Sequence, residues 1–157
     1  MIPYPSRDYC MSIMDGSNET TDLMTGRNVC LFEDVTAFDV SKYPKLKTLM
    51  IGIESFKYVN VLNITGLNAL ESVVIGKNSF TKEKNSYGND QSRHFYLKNC
   101  PKLKSLKIGS YSFSDYSVIE IENVNALEVI EIGYLNENSY SFFYASLELK
   151  SILIHIE

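Results

Sequence analysis

The stretch Leu103-Lys-Ser-Leu106-Lys-Ile108-Gly109-Ser-Tyr-Ser112-Phe113 decides the fold, because the chain spells it almost four times over. Leu46-Lys-Thr-Leu49-Met-Ile51-Gly52 runs on to Ser55-Phe56, Leu70-Glu-Ser-Val73-Val-Ile75-Gly76 runs on to Ser79-Phe80, and Leu127-Glu-Val-Ile130-Glu-Ile132-Gly133 is the fourth copy. The four glycines stand 24, 33 and 24 residues apart. A unit of about 24 residues cannot bury an apolar face alone, so the copies must stack and each must cover its neighbour.

Working outward, each unit holds a second alternating segment before the main one: Phe38-x-Val40, Leu62-x-Ile64, Phe95-x-Leu97 and Ile119-x-Ile121. Alternation with period two means strand, with successive side chains on opposite faces. Two short strands per unit, separated by Tyr43, Leu67, Cys100 or Val124, predict two parallel sheets around an elongated core. No stretch keeps a helical period, so little helix is expected. The recurring glycine marks a corner that needs positive φ or close backbone approach, and Phe56, Phe80 and Phe113 should stack as an internal aromatic column. A last copy, Leu149-Lys-Ser-Ile152-Leu-Ile154, arrives 22 residues after Leu127 and stops in mid-coil.

Over residues 38–156 this pattern resembles the leucine-rich repeat family, and Gly-x-x-Ser-Phe is closer to its bacterial and protist surface-protein class. The resemblance implies a right-handed solenoid with one parallel sheet on a concave face, serving mostly to bind other proteins. The chain departs from the family where an asparagine usually follows the strand. Glu54, Asn78, Tyr111 and Leu135 stand there, and Ser55, Ser79 and Ser112, one position later, are expected to supply hydroxyl ladders instead. The expected fold is thus a repeat solenoid of leucine-rich-repeat type, mainly β, with parallel strands stacked coil on coil. Residues 1–36 read as a capping segment with a degenerate coil, in which Leu23, Gly26 and Phe32 resemble a copy stretched by two residues. Residues 37–157 read as four coils and a partial fifth.

The 157 residues are 45% hydrophobic and 22% charged, ordinary for a globular domain, with no apolar run long enough to span a membrane. Three scattered cysteines and two distant histidines make a disulfide framework or a zinc site an unfavoured reading. With no secretory signal visible at the start, a reducing, cytoplasmic location is favoured. Asn18-Glu-Thr20 and Asn63-Ile-Thr65 fit the N-glycosylation pattern, which chance supplies often, and on the same reasoning they are expected to be unused.

The net charge of −4 hides three blocks. Residues 1–36 carry two basic and six acidic side chains, 37–115 carry twelve and six, and 116–157 carry one and seven. Register explains much of this. Equivalent positions lie about 4.8 Å apart across a parallel sheet, and one column reads Lys47, Glu71, Lys104, Glu128, Lys150. Lys98 should sit over Glu122 and Lys107 over Glu131, a pairing that opposes slippage by one whole coil.

Two corners break the pattern, at Thr81–His94 and after Gly133, and both follow the same strand, so both emerge on one edge. Insertions on one edge are a usual place for binding loops. Tyr87, Asp90, Arg93, Tyr134, Tyr140 and Tyr144 are the candidate partner-binding residues, tyrosine bringing large contact area with a polar tip. No nucleophile, metal cluster, cofactor motif or phosphate-binding glycine loop is recognisable, and the negative total charge disfavours nucleic acid. The expected function is a non-catalytic scaffold for protein–protein interaction. Self-association through the uncapped C-terminal coil is the alternative, and an enzyme on a β-helix scaffold ranks last.

Overall fold

A computed structural model describes residues 6–82, 90–133 and the backbone of 146–150. Among the described residues one α-helix, α1 (Arg7–Asp15), precedes ten strands: β1 (Asp22–Met24), β2 (Ala37–Asp39), β3 (Thr48–Ile51), β4 (Val61–Thr65), β5 (Ser72–Ile75), β6 (His94–Lys98), β7 (Ser105–Ile108), β8 (Val118–Glu122), β9 (Val129–Ile132) and β10 (Ser146–Lys150). A 3-10 turn over Val40–Lys42 takes Val40 out of the strand expected there. The chain is therefore mainly parallel β with little helix. From β2 on, strands alternate between two five-stranded sheets, ordered β1-β3-β5-β7-β9 and β2-β4-β6-β8-β10. Two sheets form, as the doubled alternation predicts, where the family resemblance implies one.

Alternation sets the faces. In β3, β5 and β7 the inward residues Leu49, Val73, Leu106 and Ile51, Ile75, Ile108 are buried in register, and in β4, β6 and β8 so are Leu62, Phe95, Ile119 and Ile64, Leu97, Ile121. Phe38, Phe56, Phe80 and Phe113 stack at centroid separations of 5.1, 5.2 and 4.9 Å. The expected aromatic column is present, with Phe38 as an added member.

The glycine serves close approach. A Cβ on Gly52 would lie 2.2 Å from the Gly26 carbonyl oxygen, and one on Gly109 would lie 2.5 Å from the Lys77 nitrogen. In these rows positive φ falls on non-glycine residues just beyond, Glu54 and Phe56, Asn78 and Phe80, Tyr111 and Phe113, at 55–64°, whereas the fourth repeat glycine, Gly133, itself has φ +69°. This conformation costs roughly 1–2 kcal/mol for a residue with a Cβ. Hydroxyls offset it by satisfying the corner backbone. The Ser55 N–H donates to Ser79 Oγ at 3.2 Å and the Ser79 N–H to Ser112 Oγ at 3.1 Å, while those two hydroxyls donate to the carbonyls of Gly52 and Gly76 at 2.9 and 2.7 Å. The expected serine ladder is formed. At another corner Asn99 and Asn123, also with positive φ, bond side chain to side chain at 2.9 Å.

Four expectations need correction. First, no extra residues separate Gly26 from the corner. The Val29 N–H donates to Ser55 Oγ at 3.1 Å and the Phe56 N–H to the Val29 carbonyl at 2.8 Å, so Cys30, with φ +57°, stands where Phe56 stands one row on. Second, Cys30 forms a disulfide with Cys10 on α1, against the reading from an odd cysteine count. The odd residue is Cys100, which is buried and free.

Third, the helix itself is missing from the sequence reading: nine residues are too few to show a period, although Ser6 caps its start by accepting from the Tyr9 N–H and Gly16, at φ +82°, ends it. Fourth, Leu149 and Lys150 do not extend the Leu127 unit. They belong to β10 in the second sheet, opposite Ile121 and Glu122. Lys150 thus leaves the Lys47 column, and Leu147 and Leu149 continue the pattern of Ile119-x-Ile121.

Candidate functional site

Of the sequence candidates, Tyr87, Tyr134, Tyr140 and Tyr144 lie outside the described residues. Asp90 is a half-buried turn residue whose Oδ1 accepts the Ser92 N–H at 3.0 Å and the Ser92 hydroxyl at 2.5 Å. That hydroxyl bond above all holds its carboxyl below the usual range, against a smaller opposing effect of burial.

Arg93 is not a surface residue. It is 1% exposed, and its Nε lies 3.3 Å from Asp115 Oδ1, itself on a buried side chain. The other guanidinium nitrogens donate to Asn60 Oδ1 at 3.0 Å and to the carbonyls of Lys57 and Phe80 at 3.2 and 3.1 Å, and the guanidinium lies 4.8 Å from the Tyr116 ring centroid. A buried charge is tolerable only when paired and hydrogen-bonded in this way. Asp115 Oδ2 also accepts the Lys82 N–H at 3.0 Å, so the pair ties the chain on both sides of the inserted corner. The Tyr116 hydroxyl donates to the Val59 carbonyl, and burial pushes its pKa far above the ordinary tyrosine value.

Next to this corner the outward row of β6 forms an organised surface of His94, Tyr96 and Lys98, each half-buried. His94 Nε2 meets the Gln91 carbonyl at 2.5 Å and Nδ1 meets the Tyr96 hydroxyl at 2.6 Å. A carbonyl can only accept, so in the neutral ring Nε2 carries the proton and the Tyr96 hydroxyl donates to Nδ1. Lys98 lies 5.2 Å over the Tyr96 ring, with its ammonium 2.7 Å from Glu120 and 3.8 Å from Glu122. The hydrogen bond to Glu120 above all raises the Lys98 pKa. The neighbouring strands present Val61, Asn63 and Thr65 on one side and Glu120 and Glu122 on the other, and a shallow groove runs along Val61, Asn63, Thr65, Tyr96 and Lys98. Tyr96 escapes the sequence reading because it sits inside a regular strand rather than in an insertion. Its signal is an aromatic residue at an outward position of the alternation.

The first sheet offers a different outer face. Met24 is 63% and Met50 36% exposed, followed in register by half-buried Val74 and then Lys107 and Glu131, whose charges are 3.9 Å apart. The alternating column Lys47, Glu71, Lys104, Glu128 is aligned, the backbone N–H groups of the last three each donating to the carbonyl of the member before at 2.8–2.9 Å. Its four side chains form no ion pair with one another within 4 Å, so the alternation acts by placement rather than contact. Ile130 and Ile132 of β9, in register with buried Leu106 and Ile108, are 45% and 43% exposed.

Cys100 is wholly buried with its thiol 3.4 Å from the Lys98 carbonyl, and burial raises its pKa, which suppresses the nucleophilic thiolate. Among the described residues no three His, Cys, Asp or Glu side chains are grouped to hold a metal ion, and no helix is long and apolar enough to cross a membrane. No family model matches the chain, and no curated protein or solved structure matches it.

Proposed function

We propose that this chain is a non-catalytic protein-interaction module, a repeat solenoid of leucine-rich-repeat type whose outward face on the second sheet, centred on Tyr96, receives a protein partner. The observation that carries this reading is the β6 row: an aromatic ring held from both sides by His94 and Lys98, with hydrogen-bonding groups on each flanking strand. A fixed tyrosine brings contact area at little entropic cost on binding, which is why such residues dominate interface energetics.

The test is an affinity comparison on a partner recovered with the intact protein. Tyr96→Ala should weaken binding at least about 30-fold, the equivalent of roughly 2 kcal/mol for a central interface residue, while Met50→Ser on the first sheet leaves it unchanged. Loss of binding with Met50→Ser and not with Tyr96→Ala would overturn the assignment.

Exposure of Ile130 and Ile132 favours a second reading, self-association through β9. Light scattering over a concentration series separates the two. A strict monomer at high concentration removes self-association, and a dimer dissociated by Ile130→Lys supports it.

A further inference from the structure

Two observations that partner binding does not use point the same way. Cys10 and Cys30 form a disulfide between α1 and the first corner, with both residues buried, and the third cysteine, Cys100, is fully buried in the core. No thiol is therefore left on the described surface to mispair. Such an arrangement suits an oxidising compartment, where disulfides form and persist. In that setting an Asn-x-Thr triplet on a surface turn becomes chemically significant.

Asn18-Glu19-Thr20 is such a triplet. It lies between α1 and β1 in a turn where Ser17 Oγ accepts the N–H groups of Glu19 and Thr20, both at 3.2 Å, and the Ser17 N–H donates to the Lys42 carbonyl at 3.1 Å. Asn18 itself is exposed. The second triplet is placed differently. Asn63 is half-buried in the outward row of β4, between Asp39 and Tyr96 in register, and its Oδ1 accepts the Thr65 hydroxyl at 2.5 Å. A glycan there would cover the face that Tyr96 occupies, whereas Asn18 lies between α1 and β1, in no strand of that sheet.

We infer that this protein matures in an oxidising compartment and carries an N-linked glycan on Asn18, with Asn63 left bare. The chemistry needs two co-reactants from that compartment. The Cys10 and Cys30 thiols give up two protons and two electrons to a thiol–disulfide exchange catalyst as the S–S bond forms. Asn18 Nδ2 forms a bond to the anomeric carbon of an oligosaccharide carried on an isoprenoid diphosphate. The sugar–phosphate C–O bond breaks, the lipid diphosphate leaves with the electron pair, and the amide loses one proton.

Protein purified without reductant from the cells that produce it tests both parts. Treatment with an amidase specific for N-linked glycans should increase gel mobility and leave aspartate at position 18, read by peptide mass spectrometry. Asn18→Gln and Thr20→Ala should each abolish the mobility shift, while Asn63→Gln keeps it. Maleimide should label one thiol in the denatured, unreduced chain and three after reduction. No shift, a shift that survives both Asn18→Gln and Thr20→Ala, or three reactive thiols before reduction would overturn the inference.

Discussion

The corner built on Ser55, Ser79 and Ser112 and the corner built on Arg93 and Asp115 solve the same problem by different means. Both must satisfy polar groups where the chain turns between two sheets and leaves the ladder of strand hydrogen bonds. The first does so with small hydroxyls, each accepting an N–H from and donating to a carbonyl of the preceding row. Because the solution is shared, each rung is individually modest. The second concentrates everything in one buried ion pair reaching Asn60, Lys57, Phe80 and Lys82. A shared device degrades gradually when one member is lost, whereas a concentrated one fails as a unit.

The largest effect should come from breaking the concentrated corner. Arg93→Met strands Asp115 in the core and should cost about 3–5 kcal/mol, as for other buried pairs that lose one member. Asp115→Asn should be comparable, and the double substitution should cost clearly less than the sum. Urea denaturation of the four proteins measures this, and simple additivity would show that the two residues act separately.

Removing the bridge with Cys10→Ser and Cys30→Ser comes next, at about 3 kcal/mol for a closed loop of this size, read in the same titration. It would also separate the first corner, where Cys30 replaces the phenylalanine, from those that keep the aromatic stack.

Ser79→Ala should cost about 1–3 kcal/mol, because the Ser55 N–H then loses its acceptor inside the core. The loss should be smaller than for Arg93→Met; equal losses would erase the contrast between the corners. The concentrated corner should also respond to alkali. Burial raises the Tyr116 pKa, so the folded chain keeps a phenol proton that the unfolded chain releases near pH 10. A raised folded pKa contributes stability below the unfolded value and loses it as pH climbs towards the folded one. Above pH 10 the intact protein should therefore lose about 1.4 kcal/mol per pH unit more than Tyr116→Phe, measured as the difference in urea midpoints at pH 9 and pH 11. Identical slopes would remove Tyr116 from the alkaline response. The smallest effect belongs to the surface. Lys107→Glu, beside Glu131 at half-exposed positions, should change stability by no more than about 1 kcal/mol.

The same contrast governs what could be read beforehand. The two parallel sheets, the phenylalanine column and the serine ladder are written in letters that recur every 24 or 33 residues, and periodicity in one dimension becomes register in three. Cys30 hides in that pattern because it takes a phenylalanine's place, and its partner Cys10 lies on a helix too short to announce itself. Arg93 and Asp115 are 22 positions apart and occur once each in their roles, so no spacing links them. Tyrosines in the irregular corners drew the reading of the site, while Tyr96, inside a regular strand, is distinguished only by which way the alternation points it.

Central to the proposed function is the outward face at Tyr96, and crosslinking from within the producing cells tests it most directly. A photo-reactive phenylalanine analogue in place of Tyr96 should yield a covalent adduct with a second, different protein, and the same analogue in place of Met50 should yield none. Adducts from position 50 alone, or from position 96 only to another copy of this chain, would contradict the proposed partner face.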